Sequence, residues 1–456
     1  MEKTDKNIKI IPYVLFLVVL LMGMFIHLHI YQKVDLSYFW YGVYAISAVF
    51  LIRKFKQGLI FEPIFILPSS YFLLICIGTL FFENLKGISF DYSLSNLVGV
   101  GYLSLIVGII LSQYYNYELV ARKTRIMKWL LKPMKNRLLV LFVILISLSA
   151  TALLFLKGGV PLFANDVNEA KLEVFSSSGY LAIFYRGLPI FSLAILYDAC
   201  ITKDKKKLYY SNGIACIVLL VTLMMGYRSK TFVFVAEYSL LYLFFHRRVF
   251  SLKLFLTIAL LFVMFFSVLG AYRRGNSVAT SSVLNEAKIL LAARPALFKL
   301  ICENFDSSHY FYGSRYFYDF KKMLPGSQVG ANVDLKNQIP IEFAKNMPDI
   351  AAVTPSIIGE AYMNFGPPGV FWIMLVLGIV LGINYKYTKY HPSFIACAFY
   401  FNFVFNMAAA VNNSIGASLL HFTYQIIWIL ITSVLYEKKI VLIFSKKGRI
   451  THEVVK

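Results

Sequence analysis

Twelve long apolar runs divide this 456-residue chain, at 10–31, 36–52, 60–82, 94–114, 138–156, 180–200, 208–226, 231–246, 252–272, 368–385, 392–411 and 417–436. A helix that crosses the hydrocarbon core of a bilayer needs roughly 20 mostly apolar residues, and only 231–246 falls clearly short of that. Charged residues make up 15% of the chain and hydrophobic ones 59%, against about 25% charged in ordinary soluble domains. A water-soluble fold of this composition would leave wide apolar areas facing solvent. Soluble enzyme, disordered chain and nucleic-acid-binding domain are therefore set aside. The fold class expected is an all-α polytopic membrane protein with about twelve transmembrane helices, a single integral membrane domain over 1–456. The first run is too long for a signal peptide and lacks a small-residue cleavage site, so it reads as the first span.

The formal net charge is +22, but its distribution carries the meaning. More than half of the 45 Lys and Arg residues sit before the first run or in the connections after runs two, four, six, eight, ten and twelve. The stretch 115–137 is the densest, with Arg122, Lys123, Arg125, Lys128, Lys132, Lys135 and Arg137. Basic residues stay on the cytoplasmic side of a membrane protein, so both termini are expected in the cytoplasm. The charge is a topology signal, and no nucleic-acid partner is expected.

That orientation places 273–356 outside, as one large loop between spans nine and ten. A loop of this length is usually functional, and short helices are expected in it. Ser282 reads as the cap of a helix over 283–294, interrupted by Pro295 and resumed over 296–304, lying in the membrane interface. Thr354-Pro355 reads as an N-cap followed by proline at the first helical position. The short helix after it carries Glu360 and stops near Gly366, where Pro367-Pro368-Gly369 opens span ten.

Basic residues on the disfavoured side single themselves out. Arg186 lies inside span six, either snorkelling to the headgroups or lining an outward-open cavity. Tyr227-Arg228-Ser229-Lys230 forms a tight outer turn with two cations, meeting lipid phosphate or an anionic substrate. Arg273-Arg274 closes span nine on the same face. Arg315 stands in the aromatic stretch His309–Phe320, where Tyr312 and Tyr316 serve as an interfacial belt or as ring faces for sugars. His309 reads as a structural hydrogen-bonder more readily than as a base, and stands with Glu169 behind Glu360 as a candidate for that role. Guanidinium groups match phosphate oxygens bidentately, so arginines gathered from several outer segments suit a lipid-linked phosphate or pyrophosphate. Glu360 is the outer carboxylate placed to act as a base; Glu169, Asp306 and Asp319 are the other acids on that side. Five cysteines form no CxxC pair and seven histidines no HExxH motif, and no metal or other cofactor is expected.

Gly158-Gly159-Val160-Pro161-Leu162-Phe163, Gly226-Tyr227-Arg228-Ser229 and the stretch Pro355–Gly369 with Gly359, Glu360, Tyr362, Asn364, Phe365 and Gly366 resemble the Wzy-type O-antigen or oligosaccharide repeat-unit polymerases, over about 140–436. Arg315 and Gly326 have the arginine-to-glycine spacing seen in outer loops of some members; Arg186 and Arg228 lack it. The related O-antigen ligases carry an outer-loop histidine motif that the sequence around His309 does not match. The resemblance implies an enzyme of the bacterial inner membrane that joins undecaprenyl-pyrophosphate-linked oligosaccharides into O-antigen, capsular or exopolysaccharide chains. Their placement makes Arg186, Arg228 and Arg273 or Arg274 the candidates for stabilising the pyrophosphate in such a reaction, and Glu360 the candidate base. Arg315, Tyr227, Lys230, Tyr312, Tyr316 and His309 would then hold the substrate. Membrane lipids, a chain-length regulator and a flippase are the implied partners. The alternatives are a lipid-linked oligosaccharide flippase or transporter, a ligase-like glycosyltransferase, and an enzyme using a monosaccharide lipid donor.

Overall fold

The computed structural model describes residues 36–56, 60–79, 92–114, 137–164, 170, 174, 181–226, 228–246, 280–323, 335, 354–437, 443–444 and 450–451. In chain order the helices are α1 (Ser37–Lys56), α2 (Pro63–Tyr71, continued by a wider turn over Phe72–Cys76), α3 (Tyr92–Tyr114), α4 (Arg137–Gly158), α5 (Leu181–Thr202), α6 (Lys205–Met224), α7 (Arg228–His246), α8 (Thr280–Asn304), α9 (Ser314–Tyr318), α10 (Ser356–Tyr390), α11 (Phe394–Ala410) and α12 (Ile415–Glu437). The all-helical expectation holds apart from one antiparallel pair of two-residue strands, β1 (Ile443–Phe444) and β2 (Ile450–Thr451).

Among the described residues, six helical segments are long and apolar enough to cross a membrane: Ser93–Ser112, Leu139–Phe163, Ile183–Thr202, Lys205–Met224, Ser356–Tyr390 and Ile415–Val434. Pro63–Thr79 and Phe394–Ala410 are shorter apolar helices. The runs 36–52 and 231–246 coincide with α1 and α7, whose apolar content is diluted by Arg53, Lys54 and Lys56 in one and by Arg228, Lys230 and Glu237 in the other. The runs 10–31 and 252–272 lie outside the described residues. With its apolar helices, the chain is a multi-pass membrane protein.

Two compact units are distinguished. The first comprises 1–120, 248–387 and 403–421. In it the buried Trp40 of α1 donates its indole N–H to Asn96 Oδ1 of α3 at 2.8 Å, and Tyr71 Oη donates to the Val98 carbonyl at 3.0 Å. Both bonds satisfy polar groups that would be costly to leave unpaired in an apolar interior. α3 and α10 cross where neither has a side chain. A Cβ on Gly108 would lie 2.2 Å from the Leu375 carbonyl oxygen, and one on Gly378 would lie 2.3 Å from that of Leu105. Gly382, one turn on, faces Ser112. Small residues at this spacing let backbones approach closely, which is how membrane helices gain packing energy when water supplies no driving force.

The second unit comprises 121–247, 388–402 and 422–456. α5 is its hub, packed by α4, α6 and α7. Trp428 Nε1 donates to the Ile183 carbonyl at 2.9 Å and Tyr197 Oη to the Pro392 carbonyl at 2.7 Å.

The 273–356 segment departs from expectation at two places. α8 begins at Thr280 and runs unbroken through Pro295 to Asn304. Proline removes one hydrogen bond, but the flanking Ala292, Ala296, Leu297, Phe298 and Ile301 are all buried, and that packing holds the helix together. The cap before Glu360 is Ser356 rather than Thr354: the Gly359 N–H donates to Ser356 Oγ at 3.4 Å. Gly366, at φ 65° and ψ −156°, ends this first part of α10. The left-handed backbone there favours glycine, and a Cβ would meet the Tyr310 hydroxyl at 2.4 Å.

Candidate functional site

The first part of α10 is buried nearly all round: Ile357, Ile358, Glu360, Ala361, Tyr362, Met363 and Asn364 are all inaccessible or nearly so. It is a core helix of the first unit. Glu360 is 0% exposed. Its carboxylate accepts hydrogen bonds from the Ile415 N–H and, at 3.1 Å, from the Gly416 N–H. Ser414 caps the same helix by accepting from the Ala417 N–H at 3.2 Å. Together Ser414 and Glu360 satisfy the first three amides of α12, groups that have no partner within their own helix. A negative charge at a helix N-terminus is favoured by the helix dipole as well. The two helix starts are tied directly, because the Ser356 N–H donates to the Asn413 carbonyl at 2.7 Å.

α9 closes the other side. A Cβ on Gly416 would lie 3.0 Å from the Tyr316 carbonyl oxygen, 3.1 Å from Glu360 Oε1 and 3.2 Å from the Arg315 carbonyl oxygen. Arg315 is 2% exposed, sits 5.2 Å from the Phe311 ring and favours the Glu360 carboxylate, whereas the like charge of the buried Asp319 opposes it. Opposite charges brought out of water together offset part of the desolvation each would suffer alone.

Asn364 holds the aromatic stretch against this helix. Its Oδ1 accepts from the Gly313 N–H at 2.9 Å, its Nδ2 donates to the Glu360 carbonyl at 2.9 Å, and its carbonyl accepts from the Tyr312 N–H at 3.0 Å. The Phe311 N–H adds a bond to the Met363 carbonyl at 3.0 Å. Arg294 of α8 pins the start of α10 to the turn before α12. It donates to Asn412 Oδ1 and Thr354 Oγ1, and at 3.4 Å to the Thr354 carbonyl. Burial pushes its guanidinium down to about 10, so it stays charged at neutral pH.

The sequence candidates divide as follows. In the first unit Glu360, Arg315 and Tyr316 converge on the start of α12, while Tyr312 and His309 stand on an exposed edge. In the second unit Arg186 lies 4.0 Å from the Tyr424 ring centroid, and Arg228 and Lys230 form the first turn of α7. Tyr227, Arg273, Arg274, Glu169 and the side chain of Arg228 lie outside the described residues. Among the described residues no three His, Cys, Asp or Glu side chains are grouped to hold a metal ion. Sequence reasoning gave no role to Arg294, Asn364, Asn412 or the amides of 415–417. Asn412-Asn413-Ser414 is a turn-and-cap signal that could have located the start of α12, but nothing in it names Glu360 as the second partner.

No curated protein and no solved structure matches the chain. The model of a family described as "Putative O-antigen polymerase" matches residues 59–416, a stretch that includes α2 through α11, the buried carboxylate and its two amide donors. With apolar helices throughout and a family match over more than half its length, the chain belongs to this O-antigen polymerase family.

Proposed function

We propose that the protein joins oligosaccharide repeat units carried on undecaprenyl pyrophosphate into long chains at the outer face of the bacterial cytoplasmic membrane. An acceptor hydroxyl attacks the anomeric carbon of the donor's first sugar, and the lipid pyrophosphate leaves with the electron pair of the broken bond. Pyrophosphate needs little protonation to leave, so stabilising its charge is the larger task. Arg186, Arg228, Arg273 and Arg274 are assigned to it, with Tyr227, Lys230, Tyr312 and His309 toward the glycan; Tyr316, buried like Arg315, belongs to the scaffold. Both termini lie on the cytoplasmic side in this reading, and a flippase and a chain-length regulator act alongside. No cofactor is required, because the glycosyl–phosphate bond supplies the energy.

The observation that carries the reading is the family match over a segment in which the buried Glu360, Arg315 and Asp319 lie close enough to act on one another. The geometry favours a positioning role for Glu360 over the base role suggested by its sequence context. Its carboxylate is fully buried and already engaged by amide donors, whereas a base must reach the proton it removes. Arg315, equally buried, balances that carboxylate. The test is complementation. A strain lacking its polymerase and expressing this full-length chain with the matching repeat unit should display a glycan ladder. Single-repeat glycan alone, with the protein present in the membrane, would refute the assignment.

A further inference from the structure

The exposed loop between α8 and α9 holds an arrangement the pyrophosphate reading does not use. Asp306 Oδ1 lies 2.7 Å from His309 Nδ1. The same oxygen accepts from the Ser308 N–H at 3.0 Å and from Ser308 Oγ at 2.6 Å. Ser308 Oγ also lies 2.9 Å from Nδ1; an ionised carboxylate can only accept, so its partner Nδ1 carries the proton and the lone pair is left on Nε2. Among the described residues nothing bonds Nε2. The side chains of His309 and Asp306 are 67% and 71% exposed, so a substrate can reach them. The three acceptor bonds hold the Asp306 carboxyl down at about 2, which keeps it ionised at any physiological pH.

The loop is built rather than loose. Tyr312 Oη donates back to the Ser307 carbonyl at 3.3 Å. Tyr310 packs edge-on against Tyr362 of α10 with ring centroids 6.2 Å apart. The backbone bonds of Phe311, Tyr312 and Gly313 to Met363 and Asn364 fix the loop to the helix that carries Glu360. Tyr312, three residues on in the same loop, and Phe317 of α9 both carry largely exposed rings. Exposed aromatic faces next to a polar group suit the C–H faces and hydroxyls of a sugar.

We infer that His309, oriented by Asp306, is the general base that takes the proton of the acceptor sugar hydroxyl, with Tyr312 and Phe317 as its platform. This inference rests on the glycosyl-transfer reading above. As the acceptor oxygen bonds to the anomeric carbon, its proton passes to Nε2 and the bond from that carbon to the pyrophosphate oxygen breaks. The imidazolium formed is stabilised by Asp306 and returns its proton to solvent.

The probe is the lipid-linked repeat unit present in membranes of a polymerase-null strain expressing each full-length variant, and the readout is the rate at which the glycan ladder lengthens. His309→Ala should slow extension about 10²–10⁴-fold, and added imidazole should restore part of the rate. His309→Gln keeps a donor for Asp306 but has no basic nitrogen, so it should be as slow. Asp306→Asn should lower the rate less while leaving the donor concentration at half-maximal rate unchanged. Wild-type extension by His309→Gln, or a slow His309→Ala that imidazole does not rescue, overturns the inference and leaves the polymerase reading standing. Failure of the wild-type chain to lengthen glycans counts against the polymerase reading itself.

Discussion

Glu360 and Gly416 are 56 residues apart in the chain, yet the Gly416 amide donates to the Glu360 carboxylate at 3.1 Å. That bond, with its neighbour from Ile415, makes an acidic residue of one helix the cap of another. Asp306 and His309 are by contrast joined within one short loop and lie open to solvent. Of the two acidic groups, one is buried at a helix start and the other is exposed.

Glu360→Gln separates organisation from proton transfer. The amide keeps one acceptor but points N–H groups at donors, so the purified protein should lose about 1–3 kcal/mol and melt several degrees lower. Chain extension per folded molecule should change little. An unchanged melting temperature with turnover down about 10²–10⁴-fold would instead make Glu360 the base.

Gly416→Ala places a methyl group 3.0–3.2 Å from two backbone carbonyls and the Glu360 carboxylate. Overpacking of this kind costs about 1–3 kcal/mol, so thermal stability in detergent should fall. Gly159→Ala is the control for packing, since the space around Gly159 is open although its φ of 74° strains any side chain. Equal losses at the two positions would remove the close-approach argument.

Arg294→Ala should release the start of α10 from the turn before α12. Loss of charged hydrogen bonds to Thr354 and Asn412 is expected to destabilise by about 1.5–3 kcal/mol, with Arg294→Lys recovering only part because an ammonium lacks the planar fork. Protease resistance of the purified variants measures it; wild-type resistance in Arg294→Ala would show the three bonds to be dispensable.

Gly378→Leu should prevent α3 and α10 from meeting, because the added side chain starts 2.3 Å from a backbone oxygen. The protein should fail to accumulate in the membrane, and Gly378→Ala should lower its level less. Normal accumulation of Gly378→Leu would argue against the crossing.

In a cysteine-free background, a membrane-impermeant thiol reagent applied to intact cells should reach a cysteine placed at Ser327 and spare one at Thr124. Labelling at 124 would reverse the orientation drawn from the basic residues, and with it the face on which the site operates.

Helix positions were legible along the chain because hydropathy is a local property: about 20 apolar residues in a row have few ways to satisfy their backbone in lipid except as a helix. The glycine and prolines at 366–368 likewise announce the break in α10 on their own. The family motif around Pro355–Gly369 pointed to Glu360 for the same reason, as a short contiguous pattern. What Glu360 does was not contained in that pattern. Its partners come from a turn 55 and 56 residues away, and burial, which withdraws a carboxylate from proton exchange with substrate, is a property of the packed neighbours and not of the residue. Arg294 and Asn364 had no role to read from the sequence because their bonds run to Asn412, Thr354 and Gly313, positions whose proximity exists only once the chain is folded. The sequence alone determined that this is a membrane-embedded helical chain of a recognisable kind. Tertiary structure alone decided which of its charges face inward to hold helix ends and which stand exposed to solvent.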